Sequence, residues 1–260
     1  MTADGVPDER ADLLAVEEPL EIRVDGEPLT VTMRTPGDDL DLAAGFLYTE
    51  GLITTLDAVH SMKMCDDNVA AVTTAPGAAI PRPSRTFVTT SACGVCGKDS
   101  IEAIHVRSRF DVAADPLAVS PALLTQLPAR LSQAQRVFAS TGGLHAAGLF
   151  TADGELLVLR EDVGRHNAVD KVAGWALRNR QLPLRGRILL VSGRASFELV
   201  QKAVMIGVPV LAAVSAPSSL AAELAQDTGL TLVGFLRGTT MNVYSGASRV
   251  ASPAREPASE

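Results

Sequence analysis

Strand-like and helix-like segments alternate through the second half of this 260-residue chain, and this alternation restricts the fold more than any other feature of the sequence. Three apolar runs have the length and composition of buried strands: 188–192, 208–215 and 230–236. Segments with the apolar spacing of helices precede these runs and separate them from one another. Strands joined through helices imply right-handed crossovers and a sheet that is largely parallel at this end. Two earlier runs, 144–151 and 155–160, predict an antiparallel hairpin that enters the sheet.

The first hundred residues follow a different, β-rich pattern. Apolar residues alternate on both sides of Asp25-Gly26, which predicts a hairpin. Asp38 or Asp39 is expected to cap a helix that ends just before Gly51. A second strand pair follows this helix, and the β-rich residues 86–91 lead into a loop.

Together these patterns predict a mixed α/β (α+β) protein with two domains. A smaller, β-rich N-terminal domain carries a cysteine loop and a helix at its end, and a larger C-terminal domain has a mixed sheet. A polar segment that contains prolines, 111–121, is predicted to be the linker between the two domains. The predicted parts are a disordered arm at 1–17, the smaller domain at 18–110, the larger domain at 111–250 and a disordered tail at 251–260.

Charge and composition exclude several classes of function. The formal net charge of −7 argues against a protein that coats nucleic acid, and an aromatic content of 4% argues against a base-stacking platform. The sequence has no apolar run of the length that predicts a membrane span, and its acidic N-terminal residues lack the pattern of a secretory signal. With only three cysteines, the sequence favours the reducing cytoplasm.

Cys93 and Cys96 form a C-x-x-C pair between the β-rich stretch and a predicted helix. On one tight turn the two sulfurs can share a metal, form a small-ring disulfide or pass a sulfur atom from one to the other. The helix N-terminus and Lys98 both favour the thiolate. A zinc site needs two more ligands and no second C-x-x-C exists, so we favour reactive thiols. Cys65 is expected to be a packing residue.

Polar residues collect in two further segments. His145 follows a glycine pair, and it is either a packed core histidine or a residue that a ligand approaches across the glycines. The densest polar cluster is 160–171, at the end of a strand and the start of a helix. The apolar stripe of that helix predicts that Asp170 points away from the buried face.

The ends of the parallel strands are the third polar region. Ligands of open parallel sheets bind beyond the carboxyl ends of the strands. Ser192-Gly193-Arg194 and Arg237 follow two of these ends, and a helix N-terminus after the first favours a phosphate. The glycine pattern matches neither a dinucleotide-binding fingerprint nor a P-loop. We therefore predict that a nucleotide-like anion binds here, but in neither of these two known types of site.

Five segments of the sequence are recognisable as a set. They are C-G-V-C-G-K (93–98), S-T-G-G-L-H-A-A (140–147), R-E-D-V-G-R-H-N-A-V-D-K (160–171), S-G-R-A-S-F-E-L-V-Q-K (192–202) and G-F-L-R-G-T-T-M-N-V-Y (234–244). In this order they resemble the FdhD family, the sulfur-carrier proteins required for formate dehydrogenase. The resemblance covers about residues 20–245.

The resemblance implies a sulfurtransferase that acts through a cysteine persulfide. Such a protein accepts sulfur from a cysteine desulfurase and passes it to the molybdenum or tungsten bis-pterin guanine dinucleotide cofactor, which then enters formate dehydrogenase. It also implies a homodimer and a cytidine-deaminase-like larger domain that binds the guanine nucleotide ends of the cofactor. The family's persulfide cysteine maps onto Cys93, and Cys96 would relay the sulfur or close a disulfide that releases it.

The predicted site residues come from two sources. The family's cofactor-contacting stretch maps onto Phe235, Leu236, Arg237, Gly238, Thr239 and Thr240. The residue patterns themselves add Ser192, Gly193, Arg194, His145, Arg165 and His166. No resident metal is expected, because the sequence lacks the H-x-E and P-C-x-x-C pattern of the zinc deaminases.

Two other functions remain open from the sequence. One is a non-catalytic chaperone that binds and shields the guanine dinucleotide cofactor. The other is a diverged zinc-dependent, deaminase-like hydrolase that uses the cysteine pair and a histidine.

Overall fold

The computed structural model describes residues 11–78, 80, 87–89 and 108–250. The predicted cysteine loop with Cys93 and Cys96, the helix expected after it and the predicted tail at 251–260 lie outside the described residues. Of the predicted N-terminal arm, 11–17 are described, without regular secondary structure.

The N-terminal part forms a five-stranded sheet in the order β3-β4-β1-β2-β5. Its elements are β1 (Glu18–Val24), β2 (Glu27–Arg34), α1 (Asp39–Thr49), a short 3-10 turn (Leu56–Ala58), β3 (Val59–Asp66), β4 (Val69–Thr74) and β5 (Phe87–Thr89). The predicted hairpin is confirmed, since β1 and β2 pair antiparallel and Asp25 and Gly26 both have positive φ. β5 lies parallel to β2, with Thr89 opposite Thr32.

The C-terminal part forms a six-stranded sheet in the order β11-β10-β9-β8-β6-β7. Its elements are α2 (Pro121–Leu124), α3 (Leu127–Ala134), α4 (Arg136–Thr141), β6 (His145–Thr151), β7 (Leu156–Asp162), α5 (Arg165–Arg178), β8 (Arg187–Val191), α6 (Phe197–Met205), β9 (Val210–Ala213), α7 (Ser219–Thr228), β10 (Thr231–Arg237) and β11 (Thr240–Ser245). β8, β9 and β10 are parallel, and β6 and β7 pair antiparallel, as predicted. The mixed α/β class is therefore confirmed. None of the described helices is both long and apolar enough to cross a membrane.

Local details differ from the sequence prediction in two places. Asp38 stands at the N-cap of α1, but its backbone is left-handed and its side chain makes no capping hydrogen bond. Residues 240–245, for which no strand was predicted, form β11 at the edge of the sheet, antiparallel to β10. An edge strand buries little apolar surface, which is why its pattern is weak in the sequence.

The apolar core is continuous between the two parts. Buried residues of β1, α1, α5 and α6 belong to one cluster that also takes side chains from β8 and β9. A second, smaller cluster lies on the opposite face of the C-terminal sheet, where Leu124, Leu127 and Leu131 pack on Phe150 and Ile188. The C-terminal sheet is thus covered on both faces, and α5 lies between it and the N-terminal part.

Two glycines bring α1 and α5 into backbone contact. A Cβ atom on Gly45 would lie 1.8 Å from the Asp170 carbonyl oxygen, and one on Gly174 would lie 1.8 Å from the Asp41 carbonyl oxygen. Any side chain at either position therefore overlaps the other helix. The sequence needs glycine here because of close approach, not because of an unusual backbone angle.

A buried charged cluster lies beside this helix crossing. The Lys202 ammonium is 2.9 and 3.0 Å from the two carboxylate oxygens of Asp170, and it also contacts Thr49 Oγ1 at 2.9 Å and Glu50 at 3.1 Å. Burial alone would lower the pKa of Lys202, but the carboxylates of Asp170 and Glu50 raise it above its ordinary value. The prediction that Asp170 points away from the buried face is wrong, because α5 is enclosed on almost all sides.

Gly45→Ala should destabilise the protein by about 2 kcal/mol or more, since overpacking outweighs the gain in helix propensity of up to about 1 kcal/mol. Urea unfolding followed by circular dichroism measures the change. Gly143→Ala is the matched control, because a Cβ there meets nothing closer than 3.5 Å. Equal stability of the two variants would contradict the close crossing.

Candidate functional site

Three loops lie side by side at the carboxyl ends of β8, β9 and β10. The loop after β9 is bonded to the loop after β8, with Ser215 N donating to the Gly193 carbonyl at 3.4 Å and Ala195 N donating to the Ala216 carbonyl at 3.2 Å. On its other side, Phe235 N donates to the Ser215 carbonyl at 3.1 Å. We call this row of loops the strand-end edge. It has the position at which parallel α/β sheets bind ligands.

Three helices begin at or beside the strand-end edge. α5 starts after Gly164, α6 after Ser196 and α7 after Ser218, whose hydroxyl accepts a hydrogen bond from Ala221 N. Helix N-termini carry partial positive charge and unpaired N–H groups, both of which favour an anion. Their convergence on one edge suits a ligand with more than one negative group.

His145 lies at one end of the strand-end edge, packed against the loop after β8. A Cβ on Gly193 would come within 3.3 Å of the imidazole Nδ1, so the glycine leaves room for the ring. Ser192 Oγ accepts a hydrogen bond of 2.9 Å from Ala146 N and holds the loop to β6. Burial lowers the pKa of His145, and the nearby Arg165 and His166 lower it further. His145 is therefore favoured in its neutral form, beside cationic side chains.

His166 is oriented by two side chains from the start of α6. Its Nε2 lies 2.9 Å from Glu198 Oε2 and 3.2 Å from Ser196 Oγ, and that hydroxyl donates to Glu198 at 3.1 Å. The hydrogen bond with His166 lowers the pKa of Glu198 despite partial burial. Glu198 is a site residue that the sequence reasoning missed. Its signal was a carboxylate in the first helical turn after a strand end.

The opposite end of the strand-end edge is formed by the β10–β11 hairpin. Phe235 has a φ of 51°, which is rare for an aromatic residue, and its side chain is 39% exposed. The Arg237 guanidinium lies 5.9 Å from the centre of the Phe235 ring and its Nε donates to the Val214 carbonyl at 3.0 Å. Strained, exposed aromatic residues of this kind are common at binding sites.

The structure groups the predicted binding residues into two sets. His145, Arg165, His166, Ser192 and Gly193 lie together, with the exposed Arg194 beside them. The second set consists of Phe235, Arg237, Gly238, Thr239 and Thr240, and Thr240 Oγ1 donates to the Arg237 carbonyl at 3.2 Å. Leu236 is different, since its side chain is fully buried in the core and only its backbone faces the loop.

Other predicted chemical features are placed elsewhere. Cys65 is exposed on β3, so the expectation that it is a packing residue is wrong. Within the described ranges, His, Cys, Asp and Glu side chains form no group of three that could hold a metal ion. Glu161 accepts hydrogen bonds from Val137 N and Phe138 N and so fastens the start of α4.

In the His145→Gln variant, the free energy of unfolding should fall less steeply than in the wild type as the pH is lowered. Because the folded state holds a proton on His145 less tightly than the unfolded state, stability falls as pH drops through the ordinary histidine value of 6.5. Urea unfolding of both proteins at pH 8, 7, 6 and 5 should give curves that diverge only below pH 7, with the wild type falling more steeply. Parallel curves over the whole range would contradict the lowered pKa.

Comparison with known proteins gives a consistent result. The sequence model of the FdhD/NarQ family matches residues 15–251. The chain is 60% identical over 252 residues to the sulfur carrier protein FdhD of Mycolicibacterium paratuberculosis, covering 93% of both chains. It is 44% identical over 247 residues to the protein of the same name from Sulfolobus acidocaldarius, covering 95% of this chain and 94% of that one.

A solved structure also resembles the whole chain. It is the crystal structure of a protein from Desulfotalea psychrophila assigned as a formate dehydrogenase accessory protein, with a TM-score of 0.74 and 26% identity. The match covers 92% of this chain and 91% of that one. These likenesses show that the chain belongs to the FdhD/NarQ family.

Proposed function

We propose that this chain is a sulfur carrier for formate dehydrogenase. It takes sulfur from a cysteine desulfurase as a persulfide on Cys93 and delivers it to the molybdenum or tungsten bis-pterin guanine dinucleotide cofactor. The observation that carries the proposal is the strand-end edge, a row of loops whose helix N-termini and arginines suit an anion, in a chain whose relatives are named sulfur carrier proteins. A cytoplasmic location and a homodimeric state are part of this proposal.

The first step is a thiol exchange at Cys93. The thiolate attacks the outer sulfur of the desulfurase persulfide, the S–S bond of the donor breaks, and the desulfurase thiolate leaves. Lys98 and the glycines of the motif, as read from the sequence, favour the thiolate and leave its sulfur accessible. Cys96 can then attack the outer sulfur, which moves the persulfide to Cys96 and leaves Cys93 as a thiolate. Alternatively it attacks the inner sulfur, which forms a Cys93–Cys96 disulfide and releases the outer sulfur as hydrosulfide.

Chain connectivity supports delivery toward the strand-end edge. Thr89, the last residue of β5, is opposite Thr32 of the parallel strand β2. Four residue steps join Thr89 to Cys93, a reach of at most about 14 Å. β2 ends at Arg34, and the backbone N–H of the next residue, Thr35, donates to Asp162 at 3.2 Å, three residues before Arg165. The described end of β5, which precedes the cysteine motif in the sequence, therefore lies on the side of the molecule at which α5 starts.

The two ends of the strand-end edge are suited to different parts of a dinucleotide. Phe235 and Arg237 offer an aromatic face and a guanidinium for a guanine base. The helix N-termini, with Arg165, Arg194 and His166, offer donors and positive charge for phosphates. We assign the guanine nucleotide ends of the cofactor to this edge and describe the C-terminal part, as the resemblance implies, as deaminase-like.

Intact-mass analysis after incubation with a cysteine desulfurase and cysteine tests the carrier role. The wild type should gain one or more sulfur atoms, about 32 Da each, which a thiol reductant removes. Cys93→Ala should abolish the gain. Cys65→Ala is the matched control, because this exposed thiol lies on β3 and should leave the gain unchanged.

An equal gain in Cys93→Ala would refute the assignment of the persulfide. The chaperone alternative is tested in cells. If formate dehydrogenase matured with the double variant Cys93→Ala and Cys96→Ala were fully active, cofactor binding alone would suffice and sulfur transfer would be rejected.

Arg237→Ala should weaken binding of GDP, used as a probe for one nucleotide end of the cofactor, by about tenfold or more. The reason is the loss of the charged guanidinium, because a hydrogen bond that involves a charged group contributes about 1.5–3 kcal/mol. Titration calorimetry measures the affinity. Arg180→Ala is the control, since Arg180 is exposed at the far end of α5. Unchanged affinity in Arg237→Ala would remove this hairpin from the site.

A further inference from the structure

A buried polar contact joins the end of β2 to the turn between β7 and α5. We call it the polar joint, and it consists of Thr35, Asp162, Asn167 and Lys171. None of the four residues takes part in the strand-end edge described above. Three of them belong to the densest polar segment of the sequence, and the chemistry proposed so far leaves them without a role.

Asp162 is the centre of the polar joint. Its Oδ2 accepts hydrogen bonds from the backbone of Thr35 at 3.2 Å and contacts the Lys171 ammonium at 2.7 Å. Its Oδ1 accepts from Gly164 N at 2.8 Å and from Asn167 Nδ2 at 3.0 Å. Its side chain is fully buried, so each of these bonds is made without competing water. One carboxylate thus fixes the β7–α5 turn and the end of β2 together.

The other three residues of the polar joint add further hydrogen bonds between the same two segments. Thr35 Oγ1 accepts a hydrogen bond from Val163 N at 3.1 Å, and the Thr35 carbonyl accepts one from Lys171 at 2.8 Å. Asn167 Nδ2 donates to the Met33 carbonyl at 2.8 Å, and Asn167 Oδ1 accepts from Thr32 Oγ1 at 3.3 Å. Thr32 and Met33 are therefore bonded to Asn167 in the first turn of α5, and Thr35 is bonded to the β7–α5 turn itself.

The chemistry of the polar joint indicates a positioning role. Apolar surfaces would join the two segments with little constraint on their relative orientation, whereas buried hydrogen bonds act only at one distance and angle. A buried Asp–Lys pair is weak evidence for added stability, since apolar residues of similar size often serve as well. What the four residues supply is therefore alignment of the two segments.

The two aligned segments lead to the two halves of the proposed reaction. β2 is the partner of β5, the strand that leads into the cysteine motif. The turn on the other side opens α5, whose first residues are Arg165 and His166 of the strand-end edge.

We propose that Thr35, Asp162, Asn167 and Lys171 are positioning residues. They hold β2, and through it β5, which leads into the cysteine motif, in a fixed position relative to the cofactor site. They touch neither sulfur nor cofactor. Their effect is on delivery of the sulfur, not on its acceptance from the desulfurase. This inference rests on the proposed function.

Thr35→Val tests the proposal, because it keeps the size of the side chain and removes the acceptor for Val163 N. Persulfide loading, measured as mass gain per folded protein, should equal that of the wild type. Formate dehydrogenase activity should fall by about tenfold or more when it is divided by the amount of persulfide-loaded variant added to the maturation reaction. Small misplacements of reacting groups lower rates by this much. Thr35→Ser, which restores the hydroxyl, should restore delivery.

Thr74→Val is the matched control. Thr74 donates a side-chain hydrogen bond of 2.8 Å to Asp25 in the same sheet but far from the polar joint, so both loading and delivery should stay at wild-type values. If Thr35→Val does not fold, Thr32→Val removes a single weaker bond of the same contact and should lower delivery to a smaller extent.

Delivery at the wild-type rate in a folded Thr35→Val protein would overturn the positioning role. A loss of persulfide loading per folded protein as large as the loss of delivery would overturn it too, because the contact would then be merely structural. Failure of the wild type itself to load sulfur would count against the proposed function instead, and the two failures are thus distinguishable.

Discussion

The contact between α1 and α5 is the constraint on which the rest of the structure depends. Gly45 and Gly174 let the two backbones touch, and the buried Lys202–Asp170 pair fixes the helices beside that point. Because α5 lies between the N-terminal part and the C-terminal sheet, its position sets the relation of the two sheets. It also sets where the end of β2 meets the β7–α5 turn. A shift of this crossing would move both the polar joint and the strand-end edge.

The polar segment 160–171 shows how one short stretch can serve two purposes. Arg165 and His166 face the strand-end edge, whereas Asp162, Asn167 and Lys171 are buried against the N-terminal part. The division follows from the enclosure of α5 on almost all its sides, so that each polar residue meets either the edge or a buried partner. Residues that look equally available for chemistry in the sequence therefore have separate physical roles.

Charge is distributed unevenly in this acidic chain. The formal net charge is −7, yet Arg165, Arg194, Arg237 and His166 lie along an edge where three helices begin. Such a local positive region attracts anionic ligands even when the protein as a whole is acidic. Glu198 lies 2.9 Å from Nε2 of His166, and Arg237 donates to a backbone carbonyl and lies beside the ring of Phe235. The edge thus brings guanidinium groups, helix N-termini and an exposed aromatic ring to one side of the C-terminal sheet.

The sequence by itself determined the order of most strands and helices, the parallel run of β8, β9 and β10, the hairpin at Asp25-Gly26 and the positions of the binding motifs. These features follow from local periodicity, turn chemistry and the handedness of crossovers, which neighbouring residues set. Only the tertiary structure decided that Asp170 is buried beside Lys202, that Glu198 orients His166 and that Leu236 belongs to the core. It also decided that Gly45 is required by a helix more than a hundred residues away. The reason is physical: burial and pairing depend on which distant surfaces meet, and local sequence patterns carry no information about that.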